Sequence, residues 1–246
     1  MSFEGQTVVV TGGTRGLGRA IALDFLEHGA TVYATWHANE AAAGAFADEC
    51  ARFGGRAKLA RFDVVDYTAV EGFWKRIDGE CAGGVQVLVN NSGLRRDRVV
   101  AMMTPTEWSS VIDTNLTGGF NMSRFAVLHM LQRRYGRILF ITSPAGAHGF
   151  EGQANYSASK AGQVGLMRSL AREVAKRGIT VNCVSPGFVD TELLADLPDE
   201  VKRKHLESVP LKRFGKPQEV AYAVRCLAER EATYITGTTL EVTGGL

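Results

Sequence analysis

Thr7-Val8-Val9-Val10-Thr11-Gly12-Gly13-Thr14-Arg15-Gly16-Leu17-Gly18 is the stretch that decides the fold. Four β-branched residues favour a strand, and a glycine-rich turn then opens a helical run, Leu17 to His28. Gly12 allows a sharp turn, Gly16 lets backbone approach a ligand closely, and Gly18 permits tight packing of helix on strand. A helix N-terminus offers free N–H groups and partial positive charge, which suits a pyrophosphate. The spacing is G-x-x-x-G-x-G, one residue longer in its first gap than the common dinucleotide fingerprint. Its place after the first strand and before the first helix makes it a dinucleotide-binding turn.

Outward from this turn the chain alternates strands and helices. Strands are expected at Gln6–Thr11, Thr31–Thr35, Ala57–Phe62, Val85–Asn90, Gly136–Thr142, Ile179–Val184 and Thr238–Val242. Helices are expected at Leu17–His28, Glu40–Phe53, Tyr67–Cys81, Thr106–Arg134, Asn155–Arg177 and Pro217–Ala228. This alternation predicts right-handed crossovers and a parallel sheet covered on both faces. Val8-Val9-Val10 and Val87-Leu88-Val89 are apolar on both sides, as covered strands should be. The expected class is α/β: a single Rossmann-type doubly wound parallel sheet, one domain over residues 1–246. The interval between Pro186 and Pro217 is too long for an ordinary connection. It holds a short helix near Thr191 to Leu197 and a charged run, Asp199 to His205, and reads as a lid over a crevice (about 187–216) or as a solvated insertion.

Bulk properties exclude several classes. The 246 residues carry 28 basic and 26 acidic side chains, a net charge of +2, too balanced to imply nucleic-acid binding. Cys50, Cys81, Cys183 and Cys226 are scattered, without metal-ligand or disulfide spacing. No apolar run approaches the roughly 20 residues of a membrane span. A strand pattern begins at Thr7, leaving no room for a signal peptide. A cytoplasmic protein is expected.

The ends of the strands point to a cofactor. Sites for NAD usually carry an acidic residue after the second strand. Here that region reads Ala34-Thr35-Trp36-His37-Ala38, with no carboxylate before Glu40, while Arg15 sits in the glycine turn where a guanidinium can pair with a 2′-phosphate. NADP(H) is favoured over NAD(H), with His37 either assisting or simply exposed. Asp63-Val64 ends strand three, where a carboxylate can accept from an adenine amino group. Asn90-Asn91-Ser92-Gly93 ends strand four, where small side chains admit a ribose.

Tyr156 and Lys160 stand four apart in a helical stretch, thirteen and seventeen residues past Ser143. The spacing puts phenol and ammonium on one face. A nearby cation favours a phenolate, so Lys160 is expected to bring Tyr156 below its free pKa of about 10. With the glycine turn, this suggests hydride transfer.

These residues together, with Asn115 and Pro186-Gly187, resemble the short-chain dehydrogenase/reductase family across essentially the whole chain. Within it the chain is most similar to the 3-oxoacyl-[acyl-carrier-protein] reductases, through Gly152-Gln153-Ala154-Asn155-Tyr156, Ser169 to Ala175, Gly178 to Asn182 and Pro210-Leu211-x-Arg213-Phe214-Gly215. The resemblance implies a catalytic set. Tyr156 is the acid, Ser143 holds the substrate carbonyl, Lys160 holds the nicotinamide ribose, and Asn115 positions a water linking Lys160 to solvent. It extends the cofactor set to Thr14, Leu17, Thr35, Pro186, Gly187, Val189 and Thr191. It also implies carrier docking at Arg134 and Arg177, and a homotetramer burying the Asn155–Arg177 helix and the last strand. The chain departs from the family at Ser92, usually Ala, at Pro144 directly after Ser143, and in Phe150, Glu151 and the basic Arg95, Arg96 and Arg98.

The expected activity is NADPH-dependent reduction of a 3-oxoacyl thioester, on acyl carrier protein, for fatty-acid or polyketide- and polyene-type synthesis. Alternatives are reduction of a CoA thioester or a small free carbonyl compound, and a non-catalytic nucleotide-binding scaffold.

Overall fold

The computed structural model describes residues 2–81, 83–192 and 198–246. Seven parallel strands form one sheet: β1 (Thr7–Val10), β2 (Thr31–Trp36), β3 (Ala57–Arg61), β4 (Val87–Asn90), β5 (Gly136–Ile141), β6 (Ile179–Pro186) and β7 (Thr239–Val242). Their order is β3-β2-β1-β4-β5-β6-β7. All seven coincide with the sequence expectation to within a few residues at each end. The chain runs outward from β1 to β3, then crosses back so that β4 pairs with β1 on its other side. That reversal opens a crevice beyond the C-terminal ends of β1 and β4, where doubly wound sheets bind ligands.

The helices are α1 (Gly16–Glu27), α2 (Glu40–Cys50), α3 (Tyr67–Glu80), α4 (Pro105–Ile112), α5 (Gly118–Arg133), α6 (Ala145–His148), α7 (Ala154–Val174), α8 (Asp199–Ser208) and α9 (Pro217–Ala228). Alternation along β1 divides the core. Val8 and Val10 join Phe25, Leu26, Val220 and Leu227 under α1 and α9. Val9 points the other way, to Trp74, Met122, Phe140 and Met167 under α3, α5 and α7. All of these are buried, so a covered strand needs apolar side chains at every position.

The expected helix Thr106–Arg134 is interrupted. A capping box between Thr104 and Glu107, with Pro105 at the first position, starts α4. A π-helical turn, Asp113–Thr117, then precedes α5. Close packing accompanies this widened turn: a Cβ on Gly118 would stand 2.5 Å from Val64 Cγ2. Such turns are rare and often sit at functional sites.

The long interval after β6 is less open than its length suggests. Val189 bridges to Gly215, and Asp190 N–H donates to the Gly215 carbonyl at 2.8 Å. The charged run is helix α8, docked by His205 stacked on Phe188 with ring centroids 4.1 Å apart. Most of the short helix expected near Thr191 to Leu197 lies outside the described residues. Cys50, Cys81, Cys183 and Cys226 are free thiols, the first three buried. Among the described residues no helix is long and apolar enough to cross a membrane.

Candidate active site

Gly12 and Gly16 both adopt left-handed φ, +60° and +52°, which glycine takes without steric cost. A Cβ on Gly16 would meet nothing within 4 Å, so that face is open to a ligand, whereas a Cβ on Gly18 would lie 2.1 Å from the Gly12 carbonyl oxygen. The separate duties expected of the two glycines are thus visible in the packing. Arg15, at the N-cap of α1, makes no side-chain cap bond, and the first turn holds no acidic residue. Its N–H groups and dipole face the crevice uncompensated, a fit for a pyrophosphate.

Thr35 is buried beneath this turn, its hydroxyl accepting from Gly12 N–H at 3.4 Å and its carbonyl from Gly13 N–H at 3.0 Å. It braces the loop from below. Asn91, expected only as part of a turn that admits a ribose, staples β4 to the same loop: Nδ2 donates to the carbonyls of Thr11 and Gly12 at 2.8 and 3.1 Å. The N–H of Ser92 donates to the Thr11 hydroxyl at 2.9 Å. Asn90 turns instead into the core, Nδ2 donating to the Ser123 hydroxyl at 2.9 Å. Thr14 is buried in the loop, and Leu17 packs on the core below α1.

At the outer end of the crevice, His37 Nδ1 lies 3.5 Å from Asp63 Oδ2, and Arg15 Nη1 lies 3.9 Å from Glu192 Oε2. Arg15 is well exposed, and β2 ends at Trp36 without a carboxylate of its own. Val64 and Val189 bury their side chains in the core. Gly187 N–H donates to the Val242 carbonyl at 3.0 Å, and Thr191 Oγ1 to the Val189 carbonyl at 3.4 Å. Pro186 through Thr191 therefore rim the crevice as an ordered edge.

Beside the crevice, β5 delivers Ser143 just past its C-terminal end, and α7 brings Tyr156 and Lys160 across from it. Two glycines make that approach possible. A Cβ on Gly146 would stand 2.8 Å from Ala161 N, and one on Gly162 would stand 2.7 Å from Leu116 Cδ2 in the π-turn. Ser143 stands within hydrogen-bonding reach of the Tyr156 phenol. Lys160 is buried, its Nζ 5.4 Å from the Tyr156 ring centroid and donating to the Ile141 carbonyl at 2.6 Å.

The electrostatics correct one expectation. Burial pushes the Tyr156 phenol above its ordinary value, with Arg95 and the Ser143 hydroxyl pulling it back. Lys160 Nζ lies beside the ring but spends a hydrogen bond on the Ile141 carbonyl, and its nearness does not offset the burial. Burial also draws Lys160 down to about 8. In the protein alone Tyr156 therefore keeps its proton at neutral pH. A second cation also faces the ring: Arg95, with Cζ 5.9 Å from the centroid. Arg95 pairs with Asp97, which also accepts from Gln153 Nε2 at 3.1 Å. The basic stretch after Gly93, a departure from the family, thus puts a charge beside Tyr156.

Asn115 is fully buried in the π-turn. Its Oδ1 accepts from Leu94 N–H at 2.8 Å, and Nδ2 donates to the Leu94 carbonyl at 3.1 Å and the Ser159 hydroxyl at 3.0 Å. Its main-chain carbonyl accepts from Gln163 Nε2 at 2.7 Å. The side chain thus ties the loop after β4 to α7, and a water on its carbonyl would have to share that oxygen with Gln163.

Arg134 and Arg177 come together, Arg134 Nη2 donating to the Lys176 carbonyl at 3.3 Å. They lie before β5 and β6, at the edge of the sheet opposite Ser143, roughly 20 Å away along a six-residue strand.

The residues that the fold assembles have counterparts in known proteins. The chain is 44% identical over 246 residues to the 3-oxoacyl-[acyl-carrier-protein] reductases FabG of Vibrio harveyi and Escherichia coli, covering all of this chain and 99% of each relative. It is 42% identical over 241 residues to the FabG of Staphylococcus aureus strain Mu50, covering 98% of both. The short chain dehydrogenase profile matches residues 6–202, from β1 through the glycine turn and α7 into α8. With that match laid over the crevice and its Ser143–Tyr156–Lys160 group, the chain belongs to the short chain dehydrogenase family.

Proposed function

We propose that this protein is an NADPH-dependent reductase of 3-oxoacyl thioesters carried on acyl carrier protein, acting in fatty-acid biosynthesis. The observation that carries the reading is the convergence of Ser143, Tyr156 and Lys160 beside an open glycine turn, in a chain similar from end to end to 3-oxoacyl-[acyl-carrier-protein] reductases.

The glycine turn, Arg15 and the rim from Pro186 to Thr191 would hold NADP(H), with Asp63 at the adenine end and Ser92 and Gly93 by the ribose. The reduced nicotinamide supplies the hydride. The protein's own part is to place and neutralise charge. As the substrate carbonyl gains electrons, its oxygen becomes negative, and donors already aimed at that oxygen stabilise it without reorganising. Tyr156, protonated because it is buried, gives its proton to the oxygen, a step worth roughly 10² to 10⁴ in rate. Ser143 donates a hydrogen bond to the same atom. Lys160 holds the ribose hydroxyls, and Asn115 holds the π-turn and α7 in register behind them.

The reading extends to one domain in the cytoplasm and to a homotetramer. Phe120 and Leu128 on α5 and Leu240 on β7 leave apolar surface exposed, which subunit contacts would cover. Arg134 and Arg177 would dock the acidic carrier. Their position requires the acyl arm to round the sheet edge or enter a neighbouring subunit's site.

Reduction of a CoA thioester is the second reading, since nothing between Ser143 and Tyr156 distinguishes the two handles. Rates of NADPH oxidation with acetoacetyl-carrier protein and with acetoacetyl-CoA decide between them. Preference for the carrier form in kcat/KM supports the proposal, and no oxidation with either overturns it.

A further inference from the structure

Gln163 lies one helical turn beyond Lys160 and is 1% exposed. A buried amide is costly unless both ends find partners. Here the partners are two members of the site: Nε2 donates to the Asn115 carbonyl at 2.7 Å, and Oε1 accepts from Lys160 Nζ at 3.4 Å. Widening of the helix at Asp113–Thr117 alters the usual ladder of carbonyl partners, and Gln163 reaches across from α7 to bond one of them.

An ammonium has three N–H groups. Two of those of Lys160 go to Ile141 and Gln163, which fixes the direction of the third. Without Gln163 the Ile141 carbonyl alone would hold the group, free to turn about that single bond. The titratable groups facing Lys160 are Tyr156 on its own helix and the Cys183 thiol on β6. Burial holds that thiol up at about 12, so it offers no compensating charge near neutrality.

We propose that Gln163 is a positioning residue: its amide joins the Asn115 main chain to the Lys160 ammonium and so sets where that ammonium meets the cofactor ribose. The inference rests on the NADPH-dependent reading above and adds to it a residue that couples the π-turn to Lys160.

The test uses the full chain and NADPH itself, read by fluorescence titration across pH, with melting temperature measured alongside. Gln163→Met keeps length and removes both bonds, while Gln163→Glu keeps an acceptor for Lys160 and loses the donor to Asn115. Removing an acceptor from an ammonium favours its neutral form. For Gln163→Met, NADPH binding should weaken about tenfold at neutral pH, and its alkaline loss should move about one unit below the wild-type position. Gln163→Glu, which keeps one of the two links, should weaken binding less than Gln163→Met and move that loss upward, even if it melts lower. If both variants melt lower while their binding curves and pH dependence superimpose on wild type, Gln163 only fills a buried space and the inference is wrong. Equal weakening by both at every pH overturns it as well. A wild-type chain that binds no NADPH overturns the functional reading and this inference with it, whereas normal binding without thioester reduction overturns the functional reading alone.

Discussion

Lys160 donates to the carbonyl oxygen of Ile141 at 2.6 Å, tying the middle of α7 to the last residue of β5. The bond explains why a helix at the sheet's surface can present a buried ammonium to the crevice. Tyr156, one turn earlier, is held above its ordinary value by its own burial.

Burying that ammonium has a consequence for stability. Lys160 is drawn from 10.5 to about 8 in the folded chain. Between those values the unfolded state binds more protons, so stability contributed by this site rises with pH across the window. Below pH 8 both states are charged and the burial cost stands in full. Lys160→Met removes the dependence. Its stability advantage over wild type in urea melts should shrink by on the order of 3 kcal/mol from pH 8 to 10.5. A pH-independent difference would show that Lys160 is not depressed.

Gly18 touches the Gly12 carbonyl so closely that a single methyl has no room, with Asn91 Nδ2 also within 2.5 Å of the added carbon. Gly18→Ala should therefore displace the turn, costing roughly 1–3 kcal/mol, and abolish NADPH binding in a fluorescence titration. Retained affinity would mean that the cofactor lies elsewhere.

Arg15 faces outward at the mouth of the crevice, with Glu192 its loose partner among the described residues. Arg15→Ala should weaken NADPH binding at least tenfold and NADH binding little. Equal losses in paired titrations would place the 2′-phosphate against another group.

Arg134 and Arg177 sit far from Ser143, so replacing both by Ala should raise KM for acetoacetyl-carrier protein severalfold while leaving kinetics with acetoacetyl-CoA unchanged. A matching change with both substrates would mark the pair as structural.

Much of this was legible in the chain. The seven strands and the glycine turn follow from local patterning, since covered parallel strands must be apolar on both faces. Tyr156 and Lys160 could be paired from spacing because helix geometry fixes i and i+4, and the family resemblance added Ser143. The π-turn was not legible: its surroundings, such as Gly118 packed on Val64, join segments distant in the chain. Gln163 escaped notice because a glutamine on a helix reads as surface until both ends of its amide are seen to be bonded. Helix α8 was hidden for a different reason. Val201 and Leu206 are its only apolar residues, and pairs such as Lys204–Glu200 at 3.1 Å hold it, so no apolar stripe announces it.

Tyr156→Phe, compared with wild type in single turnovers of bound NADPH with acetoacetyl-carrier protein, tests the central claim most directly. The variant should bind NADPH as wild type does and reduce the thioester at least about 100-fold more slowly. Reduction at a near-wild-type rate would contradict the assignment of Tyr156 as the proton donor.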